Sequence, residues 1–154
     1  MRPLPLLLLV SLTMPESAAA QTWSAQEQEL IRHVEACWQA DDDGAHDGWV
    51  KVCNPASDMV AWWTAEPAPV TKLKWWEGTE VDWHQRYLRI SWDVRPINIR
   101  FHGDVGVIYY FWTSQLKETD GGELVNDQGG SMEMYRKVGE RWQYLGGMGF
   151  PIED

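Results

Sequence analysis

The side chains able to do chemistry are few and scattered along the chain. His84 stands beside Trp83 and close ahead of Tyr87, a place where an imidazole could act as a general base near neutral pH. The same residues also fit a partly exposed helix histidine. His46, next to Asp47, and His102, at a turn, read as structural or solvent-facing. No two histidines have metal-pair spacing, the cysteines lack it too, and no Ser-His-Asp arrangement is suggested. The acidic run Asp41-Asp42-Asp43-Gly44 resembles half a calcium loop. Setting Gly44 as the required glycine, however, puts Gln39 at the first ligand position and Val50 at the last, and both fail. It reads as a solvated turn. The expectation is no metal and no cofactor.

Aromatic residues are the larger signal. The chain has eleven Trp in 154 residues, and each buries a large area while keeping one N–H donor, so Trp serves cores, interfaces and ligand pockets alike. A formal charge of −10 argues against nucleic-acid binding, which needs clustered Lys and Arg. It also disfavours anionic membrane surfaces.

The chain is expected to be one domain behind a leader. Arg2, the apolar run Leu4 to Leu12 and Ala18-Ala19-Ala20 have the layout of a secretory signal peptide, too short in its apolar part to span a bilayer. This assigns residues 1–20 to the leader and 21–154 to the domain, exported to the periplasm or secreted, with no membrane contact after cleavage; an uncleaved anchor is the competing reading. Cys37 and Cys53 could then pair, stabilising the fold by about 3 kcal/mol in the chain-entropy model. Two buried thiols on helix faces are the alternative.

The elements that must position these residues follow from periodicity. Ser24 with Glu27 forms a capping-box start, and Leu30, Ile31, Val34, Cys37 and Trp38 recur at helical spacing, which predicts a helix over about 25–40. A second helix is predicted over 45–53, ended by Asn54-Pro55. A strand is read at 58–63, a turn capped by Thr71, and a third helix at about 80–90 carrying Trp83, Tyr87 and Ile90 inward. Ile97, Ile99 and Phe101 alternate with polar residues as a half-buried strand does. After Gly103-Asp104, residues 105–113 are apolar on both parities and should be covered on both faces. A polar loop is read over 118–130, then strands at 131–138 and 141–148. The order gives an α+β fold: a curved antiparallel sheet wrapped around about three N-terminal helices.

These pieces together resemble the nuclear transport factor 2-like superfamily, near its SnoaL-like branch. The resemblance rests on the amphipathic first helix with its acidic turn and on Asn54-Pro55 with Asp58 before a Trp-rich strand. It rests further on His102-Gly103-Asp104 followed by Val105-Gly106-Val107, and on Gly139-Glu140-Arg141-Trp142. It implies a cone-shaped α+β barrel with an internal cavity, often homodimeric through the convex sheet face, in a superfamily of isomerase-like enzymes, cyclases, dehydratases and non-catalytic modules. Fold does not decide function.

Catalytic members place a carboxylate in the cavity as a base. The positions matched to it, a few residues past Asp58, are Ala61, Trp62 and Trp63, and the stretch where cyclase-like members carry an acid is Tyr109, Tyr110, Phe111 and Trp112. Neither holds a carboxylate. Asp58 itself reads better as a cap to the strand than as a catalytic group, which leaves His84 and Asp58 as the two weak catalytic candidates. The resemblance places Trp62, Trp63, Trp76, Trp83, Tyr87, Tyr110 and Trp112 on cavity-lining elements, and assigns Trp92 and Trp142 to packing or the dimer face. The leading expectation is an exported homodimer binding a small hydrophobic or aromatic ligand, with catalysis undecided. The alternatives are a lyase- or isomerase-like enzyme and a non-catalytic dimerisation or interaction module.

Overall fold

The computed structural model describes residues 21–42, 46–63, 69–71 and 85–152. Helix α1, Ala25–Asp42, begins at a reciprocal capping box. The Ser24 N–H donates to Glu27 Oε2 at 2.7 Å and the Glu27 N–H to Ser24 Oγ at 3.3 Å, satisfying two donors that the first turn leaves open. Its buried stripe is Leu30, Val34, Cys37 and Ala40. Helix α2, His46–Cys53, stops at Asn54, whose φ of 49° is the left-handed cap conformation that Asn tolerates. The proline that follows favours an extended residue there, and the cap prevails. Cys37 and Cys53 are joined in a disulfide with Cα atoms 5.4 Å apart, tying α1 to the end of α2.

The strands are β1 Val60–Trp63, β2 Val70–Thr71, β3 Tyr87–His102, β4 Val105–Glu118, β5 Leu124–Val138 and β6 Arg141–Pro151. They form one sheet in the order β2-β1-β6-β5-β4-β3. All neighbours pair antiparallel except β1 with β6, which run parallel, so the sheet is mixed where a purely antiparallel one was expected. Two-residue turns at Gly103-Asp104 and Gly139-Glu140 close the β3–β4 and β5–β6 hairpins, with φ of 64° and 62° at the glycines. These are turn positions that a side chain resists.

Three expectations about boundaries change. The predicted third helix cannot reach residue 90, because Tyr87–Ile90 already belong to β3, paired with β4 from Tyr87↔Glu118 onward; Gln85 and Arg86 are helical, and residues 80–84 lie outside the described set. Thr71, read as a turn cap, lies in β2. The polar stretch 124–130, read as loop, is strand. Gly129 and Gly130 are there because aromatic rings cross the backbone: a Cβ on Gly129 would lie 2.4 Å from Trp112 Cζ2, and one on Gly130 2.7 Å from Phe150 Cζ. Glycine inside a strand marks such an approach.

Helix α1 packs on one face of the sheet. Leu30, Val34 and Cys37 join Val94, Ile99, Ile108, Tyr110, Tyr135, Trp142 and Tyr144 in one core cluster. Residues 105–113 were expected to be covered on both faces. Within one chain only the inner parity is: Ile108 and Tyr110 are buried, while Tyr109 and Phe111 face outward and are 39% and 47% exposed.

Candidate functional site

The inner face of the sheet carries two linked clusters. The first is built around Trp38, delivered by the last turns of α1. Its ring lies between Trp92 of β3 and Trp112 of β4, at centroid distances of 5.9 and 5.8 Å. The Arg89 guanidinium sits 4.9 Å over the Trp38 ring, a cation–π pose. Arg89 Nη1 also donates to Asp41 Oδ2 at 3.0 Å and Asp42 Oδ1 at 2.6 Å. The acidic turn seen in the sequence therefore clamps β3 to the end of α1. Burial pushes the Asp42 carboxyl up in pKa and the adjacent Arg89 charge opposes this. Burial also raises Asp127, against a hydrogen bond from the Gln128 backbone.

The second cluster lies deeper. Trp38 Nε1 donates to the Tyr110 hydroxyl at 3.2 Å, which ties it to the tryptophans. Tyr110 faces Ser131 across the β4–β5 ladder, and the next inward pair is Ile108 with Glu133. The Tyr135 hydroxyl donates to Glu133 Oε2 at 2.7 Å. Glu133 is 7% exposed, so desolvation raises its pKa, with the Tyr135 and Tyr110 hydroxyls pulling the other way. The phenols themselves are driven well above their ordinary range, first by burial and then by the Glu133 charge. Gly147 clears the space: a Cβ there would meet Glu133 Cγ at 3.0 Å. His33, on α1, packs edge-on against Tyr135 at 5.3 Å, and its pKa falls to about 4 through burial and then the nearby Lys137 and Arg141 charges.

Chemically, the face offers flat aromatic walls, a buried carboxyl that can hold or release a proton, and buried donors without a partner among the described residues, including Trp112 Nε1, Trp142 Nε1 and Ser131 Oγ. Trp112 Nε1 is buried and has no hydrogen-bond partner among the described residues. Such a group ordinarily finds an acceptor. No metal-type cluster of His, Cys, Asp and Glu occurs among the described residues.

The structure sorts the sequence candidates. Tyr110 and Trp112 lie on the inner face, and Tyr87 is half-buried at the start of β3. Trp62 does not join them: it pairs with Met148 on the outer face and is 49% exposed. The Trp63 side chain, Trp76, Trp83 and His84 lie outside the described residues, as does the His46 side chain. Asp58 is exposed in the turn before β1, and His102 is exposed at the end of β3, both away from the inner face. Trp92 belongs to the tryptophan cluster, and Trp142 is buried against Phe101 at a ring distance of 6.2 Å.

Sequence reasoning missed Trp38 as a site residue, since helical spacing marked it only as core. It also missed Glu133. In Ser131-Met132-Glu133-Met134-Tyr135 the polar parity points inward and the methionine parity outward, the reverse of the usual reading of an alternating strand. The signal was a carboxylate at two-residue spacing from Ser and Tyr.

No family profile matches the sequence, and no curated protein matches it. Solved structures do. A conserved protein from Planctomyces limnophilus superposes with a TM-score of 0.72 at 13% identity, over 83% of this chain and 97% of that one. A ketosteroid isomerase-like protein from Erwinia carotovora atroseptica gives 0.70 at 12% identity, over 86% and 100%. A nuclear transport factor 2-like superfamily protein from Salmonella enterica serovar Typhimurium gives 0.70 at 11%, over 82% and 91%. The chain has the nuclear transport factor 2-like fold.

Proposed function

We propose that this chain is exported and binds a small hydrophobic or aromatic molecule against the inner face. The ligand would lie on the Trp38–Trp92–Trp112 wall and accept a hydrogen bond from Trp112. The observation that carries this reading is the buried Trp112 N–H without a partner among the described residues, set among aromatic faces. Flat apolar walls with a few placed donors suit small organic ligands. The leader-like residues 1–20 and the Cys37–Cys53 disulfide support export, because disulfides persist in oxidising compartments.

The test is tryptophan emission of the purified protein titrated with naphthol and with an anilinonaphthalene sulfonate dye. Saturable quenching is expected, and Trp112→Phe, which keeps a ring but removes the donor, should weaken it about tenfold, the order expected for one hydrogen bond to a buried group. Absence of saturable binding by either probe would end the ligand reading.

A second reading, a lyase- or isomerase-like enzyme, has one observation in its favour: Glu133 is a buried carboxyl with raised pKa, hydrogen-bonded by the Tyr135 phenol. Perturbed carboxyls of this sort recur at catalytic sites. On this reading Glu133 and Tyr110 replace His84 and Asp58 as the groups to test.

The outer face supports self-association. Trp62 and Val60 of β1, Met148 and Phe150 of β6, and Tyr109 and Phe111 of β4 are all exposed there. Register places Tyr109, Met132, Met148 and Trp62 in one row across four strands. A continuous apolar patch of this kind marks an interaction surface, and a second copy would bury the same patch from both sides.

A further inference from the structure

We propose that the exported chain is blocked at its amino terminus, with Gln21 converted to pyroglutamate. This rests on the export reading, because cleavage after Ala18-Ala19-Ala20 leaves Gln21 as the first residue. The α-amine then attacks the side-chain amide carbon Cδ, a C–N bond forms in a five-membered lactam, and the Cδ–Nε2 bond breaks to release ammonia. No oxidant or co-reactant is consumed.

The structure sets the ends of the reacting segment. Trp23 is packed against the core cluster, and its carbonyl accepts from Gln28 Nε2 at 2.9 Å, so the chain is anchored from there inward. Gln21 lies beyond that anchor and is exposed. Its side-chain amide makes one long contact, donating to the Ile97 carbonyl at 3.4 Å, too weak to hold it from its own amine. Cyclisation also removes an ammonium close to the start of α1. Positive charge there opposes the helix dipole. The lactam keeps the segment at Trp23 out of reach of aminopeptidases, which need a free amine.

The test uses the full chain, expressed with its own leader in an exporting host and purified from the exported fraction. Intact mass and the amino-terminal peptide are measured, with Gln21→Asn alongside, since Asn cannot close the same five-membered lactam. The expected wild-type peptide starts at residue 21, is one ammonia lighter than its sequence, resists amine labelling and aminopeptidase, and is opened by pyroglutamyl peptidase. The Gln21→Asn chain should label fully and be trimmed. A wild-type peptide starting at residue 21 with a persistently free amine would overturn the proposal and leave export standing. A chain that retains residues 1–20 would overturn both.

Discussion

Replacing Glu133 tests the inner cluster most directly. Alanine removes the acceptor of the Tyr135 hydroxyl, now at 2.7 Å, on a phenol that is 1% exposed. Leaving a buried hydroxyl without a partner costs about 1–3 kcal/mol, and the one lost methylene adds roughly 0.8 kcal/mol. Relief from burying an acid offsets part of this, so Glu133→Ala is expected to lose about 2 kcal/mol. Glu133→Gln keeps the shape and one acceptor and should lose about 1 kcal/mol under mildly acidic conditions. The two variants also differ in pH behaviour. Burial raises the Glu133 pKa above 4.5, so the folded chain keeps a proton that the unfolded chain has released. That stabilisation is complete below the unfolded value and is lost as pH rises through the folded one. Glutamine cannot ionise, so the Glu133→Gln deficit should shrink between about pH 5 and about pH 8. Urea unfolding of all three proteins at both pH values measures it. A deficit that is the same at both would refute the placement of a protonatable Glu133 in the core.

The remaining expectations run in other directions. His33 falls from 6.5 to about 4, so its contribution is present above the unfolded value and lost as pH falls toward the folded one. At about 1.4 kcal/mol per pH unit, discounted for partial solvent access, the loss is about 1–2 kcal/mol, and His33→Gln should flatten the acid limb of the urea-unfolding profile by that amount. Changing Cys37 and Cys53 together to Ala should cost about 3 kcal/mol, read as a lower urea midpoint that added reductant no longer shifts. Met148→Lys or Phe111→Lys, at exposed outer-face sites, should leave circular dichroism unchanged while converting a dimer to monomer by sedimentation. An unchanged mass would remove this face as the interface.

Much of the architecture was readable because it is local. The Ser24–Glu27 cap, the α1 stripe of Leu30, Val34 and Cys37, and the two Gly-led hairpin turns need only near neighbours and standard geometry, and the structure has each of them. The tertiary structure decided which parity of each strand faces in. In β5 the inward set is Ser131, Glu133 and Tyr135 and the outward set is Met132 and Met134, because the outer sheet face is itself apolar. Hydropathy cannot tell two apolar-bearing faces apart; only the position of α1 does. The same holds for Trp62, which sits one residue beyond the buried Ala61 and so points outward. Gly129 looked like loop until the Trp112 ring lay across it. Residue types and spacing determined that this chain makes a helix-covered curved sheet rich in tryptophan. The packing of α1 onto that sheet determined which tryptophans meet and which strand parity buries a carboxyl against Tyr135.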